Sequence, residues 1–407
     1  MWARCSAVAV AEPGVVFLRG VSVVLGGGLA GGVGRYRVRG SRCGGGGGGD
    51  SPGVWGLRVG IVGEDGAMRA VVVEEFGVLP SVQDVAVPEA DPGGVVLRVE
   101  ATGLCRSDWH GWQGHDSDIV LPHVPGHELA GTIAAVGAGV AGWKVGDRVT
   151  TPFICACGNC EQCLEGNQQV CPNQLQPGFN YWGSFAEYVA LPFAEVNLIR
   201  LPETMDFDTA AGLGCRFATS FRAVRQVGRV AAGEDVVIFG CGGVGLSAVM
   251  IAAALGARVI AVDTNPAALE LARSYGAADT VQASSDVVQE ILELTGGGAR
   301  VTMDALGSNA IVQDALRSLR PRGRHLQVGL LPDGVQLDVS RLIGQELEWL
   351  GSHGMPAHAY PEMLDLVASG NLKPQDLITR TISLDEVPAA LDELTAGTPA
   401  GVTVIRP

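Results

Sequence analysis

Val236-Val-Ile-Phe-Gly-Cys-Gly-Gly-Val-Gly245 decides the fold. Four consecutive apolar residues read as a strand buried on both faces, as in parallel sheets. The strand runs into Gly240-x-Gly242-x-x-Gly245, and an apolar helix follows from Leu246 to Leu255. A glycine fingerprint carries weight only between a strand and a helix, and here it has both. Gly240 permits the tight turn, Gly242 lets backbone approach a pyrophosphate, and Gly245 lets helix and strand pack closely; Gly243 and Val244 lie within the same loop. The phosphates are expected on the helix N-terminus. Arg258-Val-Ile-Ala-Val-Asp263 reads as the next strand. A carboxylate at its end accepts the ribose hydroxyls and repels a 2′-phosphate, so Asp263 favours NAD over NADP. Further strands are expected at Ala278–Gln282, Val301–Asp304, Arg324–Val328 and Leu347–Gly351. This alternation predicts an α/β, doubly wound parallel-sheet cofactor domain over 218–353, with Cys241 inert inside its loop.

Upstream, 68–217 reads as strand and turn. Arg69–Val73, Val95–Ala101 and Leu129–Val136 carry β-branched residues between Gly, Pro and Asp. Cys105 follows the second of these strands in Gly103-Leu-Cys-Arg-Ser-Asp-Trp-His110, and Gly126-His127-Glu128 and Gly214-Cys215 lie further on. Cys, His and Cys suit zinc, and three protein ligands leave a fourth position open for chemistry. Cys157-x-x-Cys160-x-x-Cys163-x7-Cys171 has the spacing of a closed four-thiolate zinc with no open valence, so its role is structural. Cys155 stands just ahead as a spare thiol. Helices are expected at Ala359–Ala368 and Asp385–Leu394, and a last strand at Val402–Ile405.

From about Met68 to Pro407 the chain resembles the zinc-dependent alcohol dehydrogenases of the medium-chain dehydrogenase/reductase family. The resemblance implies a GroES-like, β-barrel-type catalytic domain over 68–217, completed by 354–407. It implies two zincs per chain and NAD. Cys105, His127 and Cys215 would hold the catalytic zinc, and Cys157, Cys160, Cys163 and Cys171 the structural one. A metal at the open site acts as a Lewis acid on a bound hydroxyl. Asp108 is implied to orient the His127 imidazole, as metal-bound histidines usually require. Glu128 is implied to lie near the metal. Ser107 would take the alcohol proton and His110 would pass it to solvent, since imidazole titrates near neutrality. Arg106 matches a pyrophosphate contact and Thr219 a residue near the nicotinamide. The family often carries an arginine in the last strand, but none lies between Gly401 and Ile405. That leaves Arg106 and the helix terminus to hold the phosphates.

The implied function is hydride transfer between NAD and an alcohol, or the matching aldehyde or ketone. Polyol and amino-alcohol dehydrogenases share every motif and stay open. A non-catalytic NAD- and zinc-binding structural or sensing protein is a reading of another class, which loss of a ligand or relay residue would favour. A zinc-free quinone reductase is excluded if Cys105, His127 and Cys215 converge. Trp109, Trp112, Phe153, Trp182 and Phe217 are candidates for the substrate pocket or for the core, and Trp109 suggests a primary or aromatic alcohol.

Charge and composition bound the rest. The net charge is −15 over 407 residues, which argues against a nucleic-acid partner, because phosphates need Lys/Arg neutralisation. No apolar run reaches the length of a membrane span. Of the ten cysteines, four fall in the x2, x2, x7 array and two more in runs of metal or catalytic character, which points to a reducing, cytoplasmic location. Residues 1–67 differ from the remainder: 20 glycines, seven arginines, no lysine and no period. They are expected to be a disordered Gly-rich extension, because such a composition buries too little apolar surface to offset its ordering entropy. The expected partner is a small-molecule alcohol or carbonyl compound. Family analogy implies a homodimer or homotetramer.

Overall fold

The computed structural model describes residues 6–11, 14–19, 66–331, 334–397 and 399–407. The chain divides into two units, Met1–Ala67 and Met68–Pro407. In the first, Ser6–Ala11 pairs antiparallel with Gly14–Arg19. The rest of the expectation for 1–67 lies outside the described residues.

In the second unit the stretch around the glycine fingerprint builds a six-stranded sheet. Its spatial order is Asp279–Gln282, Arg258–Asp263, Asp235–Phe239, Ala299–Asp304, Leu319–Gln327, Glu348–Gly351. Every neighbouring pair is parallel. In chain order this is 3-2-1-4-5-6, the doubly wound arrangement in which ligands bind where the order reverses. That reversal falls beside Asp235–Phe239, whose C-terminal end is the glycine loop. Val236, Val237 and Ile238 are fully buried, and the helix Gly243–Ala254 that follows is buried along most of its length.

A second sheet holds Ile378–Ser383, Val402–Arg406, Val95–Leu104, Glu128–Val136, Arg148–Thr150 and Ile199–Arg200 in that order, with Tyr188–Leu191 also on Val95–Leu104. Its pairings are antiparallel except for Ile378–Ser383 with Val402–Arg406. The tail therefore returns to the sheet that leads into Cys105: Thr403 pairs with Leu104 and Ile405 with Thr102.

The two sheets are joined by one continuous helical run. Phe207–Gly212 is α-helical, Leu213–Phe217 is π-wound, Ala218–Phe221 is α and Arg222–Val227 is π again. Asp206 caps its start by accepting the Thr209 N–H at 2.7 Å. Phe217, Phe221 and Val224 belong to an apolar cluster that reaches from Ala101 and Ala130 to Val236, Leu246 and Met303. Burying each large side chain contributes roughly 1.5–3 kcal/mol. The run is thus anchored in both sheets. π turns occur frequently at functional sites, and the first one carries Cys215.

Candidate active site

Three elements bring the three expected ligands together. Cys105 ends the strand Val95–Leu104 and caps the short helix Arg106–Trp112 in extended conformation. His127 stands just ahead of Glu128–Val136, and Gly126 before it has φ +105°. A side chain at Gly126 would strike Phe185 and Ser184 at 2.6–2.7 Å, so only glycine admits this approach. Cys215 comes from the π turn, whose Leu213 and Gly214 carbonyls accept from the buried Tyr360 hydroxyl at 3.2 and 3.4 Å. The donor atoms of Cys105, His127, Cys215 and Glu128 all lie within 4.8 Å of one another. Tetrahedral zinc with Zn–S of about 2.3 Å and Zn–N of about 2.0 Å needs donors roughly 3.3–3.8 Å apart, so two thiols and an imidazole fit it.

Asp108 ties two of the ligands into one unit. Its Oδ1 accepts from the His127 ring at 2.9 Å and from the Gly126 N–H at 3.1 Å, while Oδ2 accepts the Cys105 N–H at 2.8 Å. With Asp108 on Nδ1, the Nε2 of His127 is left to face a metal. Burial disfavours the imidazolium, yet Asp108 and Cys105 hold the His127 pKa well above its ordinary value. A hydrogen bond from Cys215, then the charges of His127 and Arg216, hold Cys105 well below the ordinary thiol value. The same sulfur contact, with burial, raises Cys215. Such a site favours negative sulfur on Cys105, which a bound cation would compensate.

Glu128 sits among the four donors, but both its oxygens are taken. Arg216 donates to Oε1 through its backbone N–H and its Nε, each at 2.9 Å, and to Oε2 through a terminal nitrogen. Both side chains are buried, Glu128 completely. Burial raises the Glu128 pKa against the pull of Arg216. Arg216 belongs to none of the motifs that mark the site in the sequence. The signal was present: a glutamate in an apolar strand requires a buried cation, and Arg216 directly follows Cys215. The Arg216 side chain also packs on the glycine loop, since a Cβ at Gly243 would meet its Cδ at 2.5 Å. The Cys105–His127–Cys215 cluster and the loop are therefore neighbours.

In the loop, Gly240 has φ +93°, a Cβ on Gly245 would lie 1.7 Å from the Gly240 carbonyl oxygen, and a Cβ on Gly242 would meet nothing within 4 Å. Ser220 donates to the Val244 carbonyl at 2.7 Å. Thr219, beside it, is buried at the same junction. The Asp263 carboxylate accepts the Cys241 N–H at 2.6 Å and the Asn265 N–H at 2.8 Å. Cys241 itself is buried, and burial pushes its thiol up to about 12.

Ser107 Oγ lies 3.8 Å from Cys105 Sγ. His110, three residues on, has its Nδ1 2.9 Å from Nδ1 of His115, an exposed partner that the sequence did not single out. Burial, then Arg106 and His115, lower the His110 pKa. Arg106 stacks over Trp109, 3.9 Å from the ring centroid, and donates to the Leu394 carbonyl. Of the other aromatic candidates, Trp112 and Phe217 are core, and Trp182 is exposed. Phe153 has its ring 6.3 Å from His127 and 5.4 Å from His353.

The sulfurs of Cys157, Cys160, Cys163 and Cys171 also lie within 4.8 Å of one another. Cys171 is 3.5 Å from Cys157 and 3.7 Å from Cys160. These spacings match thiolates about 3.8 Å apart on a tetrahedral zinc, not the ~2 Å of a disulfide. Asn197 fastens the lobe by bonding both the N–H and the carbonyl of Ala156, at 2.8 and 2.9 Å. Cys155 lies outside the four-sulfur cluster, fully buried, with its pKa raised by burial to about 11.

Residues 91–203 match the family described as alcohol dehydrogenase GroES-like domain, and 243–369 the family described as zinc-binding dehydrogenase. An alcohol dehydrogenase of Geobacillus stearothermophilus is 33% identical over 342 residues, 83% of this chain and 99% of the relative. An L-threonine 3-dehydrogenase of Mesorhizobium japonicum is 30% identical over 334 residues, 79% of this chain and 94% of the relative. A Sinorhizobium meliloti 1021 protein solved bound to NADP superposes with TM-score 0.75 at 31% identity, covering 84% of this chain and 99% of that one. On this evidence the chain, with its GroES-like and Rossmann-type domains, belongs to the zinc-dependent medium-chain alcohol dehydrogenase family.

Proposed function

We propose that the protein is an NAD-linked dehydrogenase of small alcohols, working with zinc at Cys105, His127 and Cys215. The convergence of those three donors beside the glycine loop carries the reading. When bound, zinc supplies Lewis acidity to the substrate oxygen and the nicotinamide exchanges hydride with the carbinol carbon. The chain's own residues do the rest. Asp108 fixes the imidazole and the Cys105 backbone together. Ser107, beside the Cys105 sulfur, receives the hydroxyl proton, and a cofactor hydroxyl would link it to His110, which is exposed. Thr219 and the Ser220–Val244 bond support a ring bound over the loop. The Asp263 carboxylate favours two ribose hydroxyls over a 2′-phosphate, so NAD is the expected partner even though a similar protein carries NADP.

Other parts of the reading rest on separate observations. Glu348–Gly351 is an edge strand, and Leu330, Val339 and Ile343 nearby expose apolar side chains, which supports a homodimer or larger assembly through that edge. The described cysteines are all free thiols, in keeping with a cytoplasmic location. Among the described residues no helix is long and apolar enough to cross a membrane. The catalytic unit is Met68–Pro407, made of 68–217 with 354–407 and of 218–353. A protein begun at Met68 should keep its turnover.

The test is a panel of alcohols with NAD and with NADP, alongside zinc counted per chain. Two zincs and NAD-linked turnover support the reading. Turnover that survives Cys105→Ser would sink it.

A further inference from the structure

Two neighbouring strands of the six-stranded sheet carry a polar patch where buried parallel strands are ordinarily apolar. Thr302 pairs with His325, and Asp304 with Gln327, across Ala299–Asp304 and Leu319–Gln327, so the four side chains share one face. Thr302, Asp304 and His325 are fully buried and Gln327 partly so. Met303 and Leu326, which alternate with them, belong to the apolar cluster on the other face. Buried polar groups cost free energy unless each finds a partner, and here each does.

The bonds have one polarity. Gln327 Nε2 donates to Asp304 Oδ2 at 2.8 Å and to the Gly329 carbonyl at 2.7 Å. Its Oε1 is therefore an acceptor, and the His325 Nε2 3.1 Å away must carry a proton. Burial lowers the His325 pKa against the pull of Gln327 and Asp304, which favours the neutral ring. Nδ1 then offers a lone pair, and the Thr302 hydroxyl donates to it at 2.9 Å. Donation thus runs from Thr302 to His325 to Gln327 to Asp304. Asp304 Oδ1 ends the chain by accepting the Leu306 and Gly307 N–H groups, each at 2.8 Å. The Asp304 carbonyl accepts those of Val328 and Gly329 at 3.1 and 2.9 Å.

That end lies at the crevice of the sheet. The strand order reverses between Asp235–Phe239 and Ala299–Asp304, and ligands of such sheets bind beyond the C-terminal ends of the strands there. The Ala305 N–H bonds the Phe239 carbonyl at 3.0 Å, and a Cβ on Gly240 would lie 2.5 Å from Leu306 Cγ. The loops 305–307 and 328–330 also abut: a Cβ on Gly307 would lie 2.0 Å from the Leu330 carbonyl oxygen, and one on Gly329 2.2 Å from the Gly307 nitrogen. Leu306 and Leu330 are 56% and 81% exposed, so this rim is open to a bound molecule.

We propose that His325 and Gln327 are positioning residues for the dinucleotide: their one-way chain of bonds locks the loops 305–307 and 328–330 against the glycine loop and holds the crevice at the width the cofactor needs. The proposal rests on the NAD-linked reading for what fills the crevice. Neither residue takes part in the hydride or proton steps.

Binding and stability together test it. NADH and NADPH are each titrated by fluorescence into the zinc-loaded protein, and the variants are compared with whichever binds the wild type. His325→Leu can neither donate nor accept, and should weaken binding by about tenfold or more. His325→Gln can still donate to Gln327 and accept from Thr302, and should stay within about threefold of the wild type. Gln327→Glu keeps the shape but sets an acceptor against Asp304. It should weaken binding by about tenfold or more at pH 8, and regain more affinity than the wild type does as the pH falls to about 6, because two facing carboxylates come to share a proton. In turnover the loss should appear in the KM for the dinucleotide and leave kcat and the alcohol KM unchanged, with the thermal midpoint as a check on folding. Variants that bind as the wild type does, even with a lowered midpoint, overturn the proposal and leave the dehydrogenase reading standing, as does a His325→Gln as weak as His325→Leu. Weakened binding in His325→Leu and Gln327→Glu, in a protein that oxidises no alcohol, supports the proposal and sinks the dehydrogenase reading alone. A wild type that binds neither dinucleotide overturns both.

Discussion

Arg216 grips Glu128 with two bonds, and each of the pair is the sequence neighbour of a candidate zinc ligand: Glu128 follows His127 and Arg216 follows Cys215. The ion pair therefore fixes the spacing of His127 and Cys215, candidate ligands that stand 88 residues apart as Glu128 and Arg216 themselves do. Removing one partner leaves a buried, uncompensated charge, which typically costs on the order of 3–5 kcal/mol. Arg216→Met should lower the unfolding free energy measured in urea by about that much and loosen the candidate catalytic zinc site. The double variant Arg216→Met/Glu128→Gln should recover more than half of the loss. A double variant as weak as the single one would show that the arginine acts through packing alone.

The two metal sites should fail differently. Cys160→Ser is expected to lose one zinc and at least about 5 °C of thermal midpoint, since structural zinc contributes folding free energy directly. Cys105→Ser should lose the other zinc and turnover with a smaller thermal effect. Metal counts with melting curves on both variants check this.

His110 gives a sign for pH. Burial and the nearby Arg106 and His115 lower its pKa below the ordinary 6.5. It therefore remains a neutral proton acceptor at neutrality, and the acid limb of alcohol oxidation should lie below pH 6.5. His115→Asn removes one of the repelling groups and should move that limb upward. His110→Ala should reduce turnover near pH 7 by roughly tenfold or more, within the range usual for lost proton transfer.

Thiol reactivity should separate the cysteines. With its thiol raised to about 11, Cys155 is ionised only about one part in a thousand at pH 8, and Cys241, at about 12, still less. In metal-free protein, hydrogen bonding from the Asn159 backbone brings Cys157 to about 6. After chelation, iodoacetamide at pH 7 should label Cys157 early and spare Cys155 and Cys241 while the protein stays folded. Peptide mass mapping reads this out.

Asp263→Ser should raise the KM for NAD on the order of 10- to 100-fold, the cost of a lost hydrogen bond to a charged group, and should narrow the gap to NADP. An unchanged cofactor ratio would locate the discrimination elsewhere.

The local signals were the readable ones. Val236–Gly245 gave strand, glycine loop and helix in ten residues, because turn chemistry and apolar runs are local. Cys157–Cys171 was legible because metal geometry fixes its spacing. Arg216 escaped notice because its partner is far away in sequence and only packing brings them together. The π turns at Leu213–Phe217 and Arg222–Val227 have no pattern distinct from an α-helix.

The pairing of Thr403 with Leu104 sets an order of events during synthesis. Cys105 and His127 leave the ribosome almost three hundred residues before the strand that braces them. The whole six-stranded sheet is made in the interval and can fold in advance. A nascent chain stalled after Gly351 would thus present a finished nucleotide fold beside an unbraced zinc sheet. Premature stop codons in the last fifty codons are expected to yield proteins that still retain cofactor on a dye column yet hold the catalytic metal poorly.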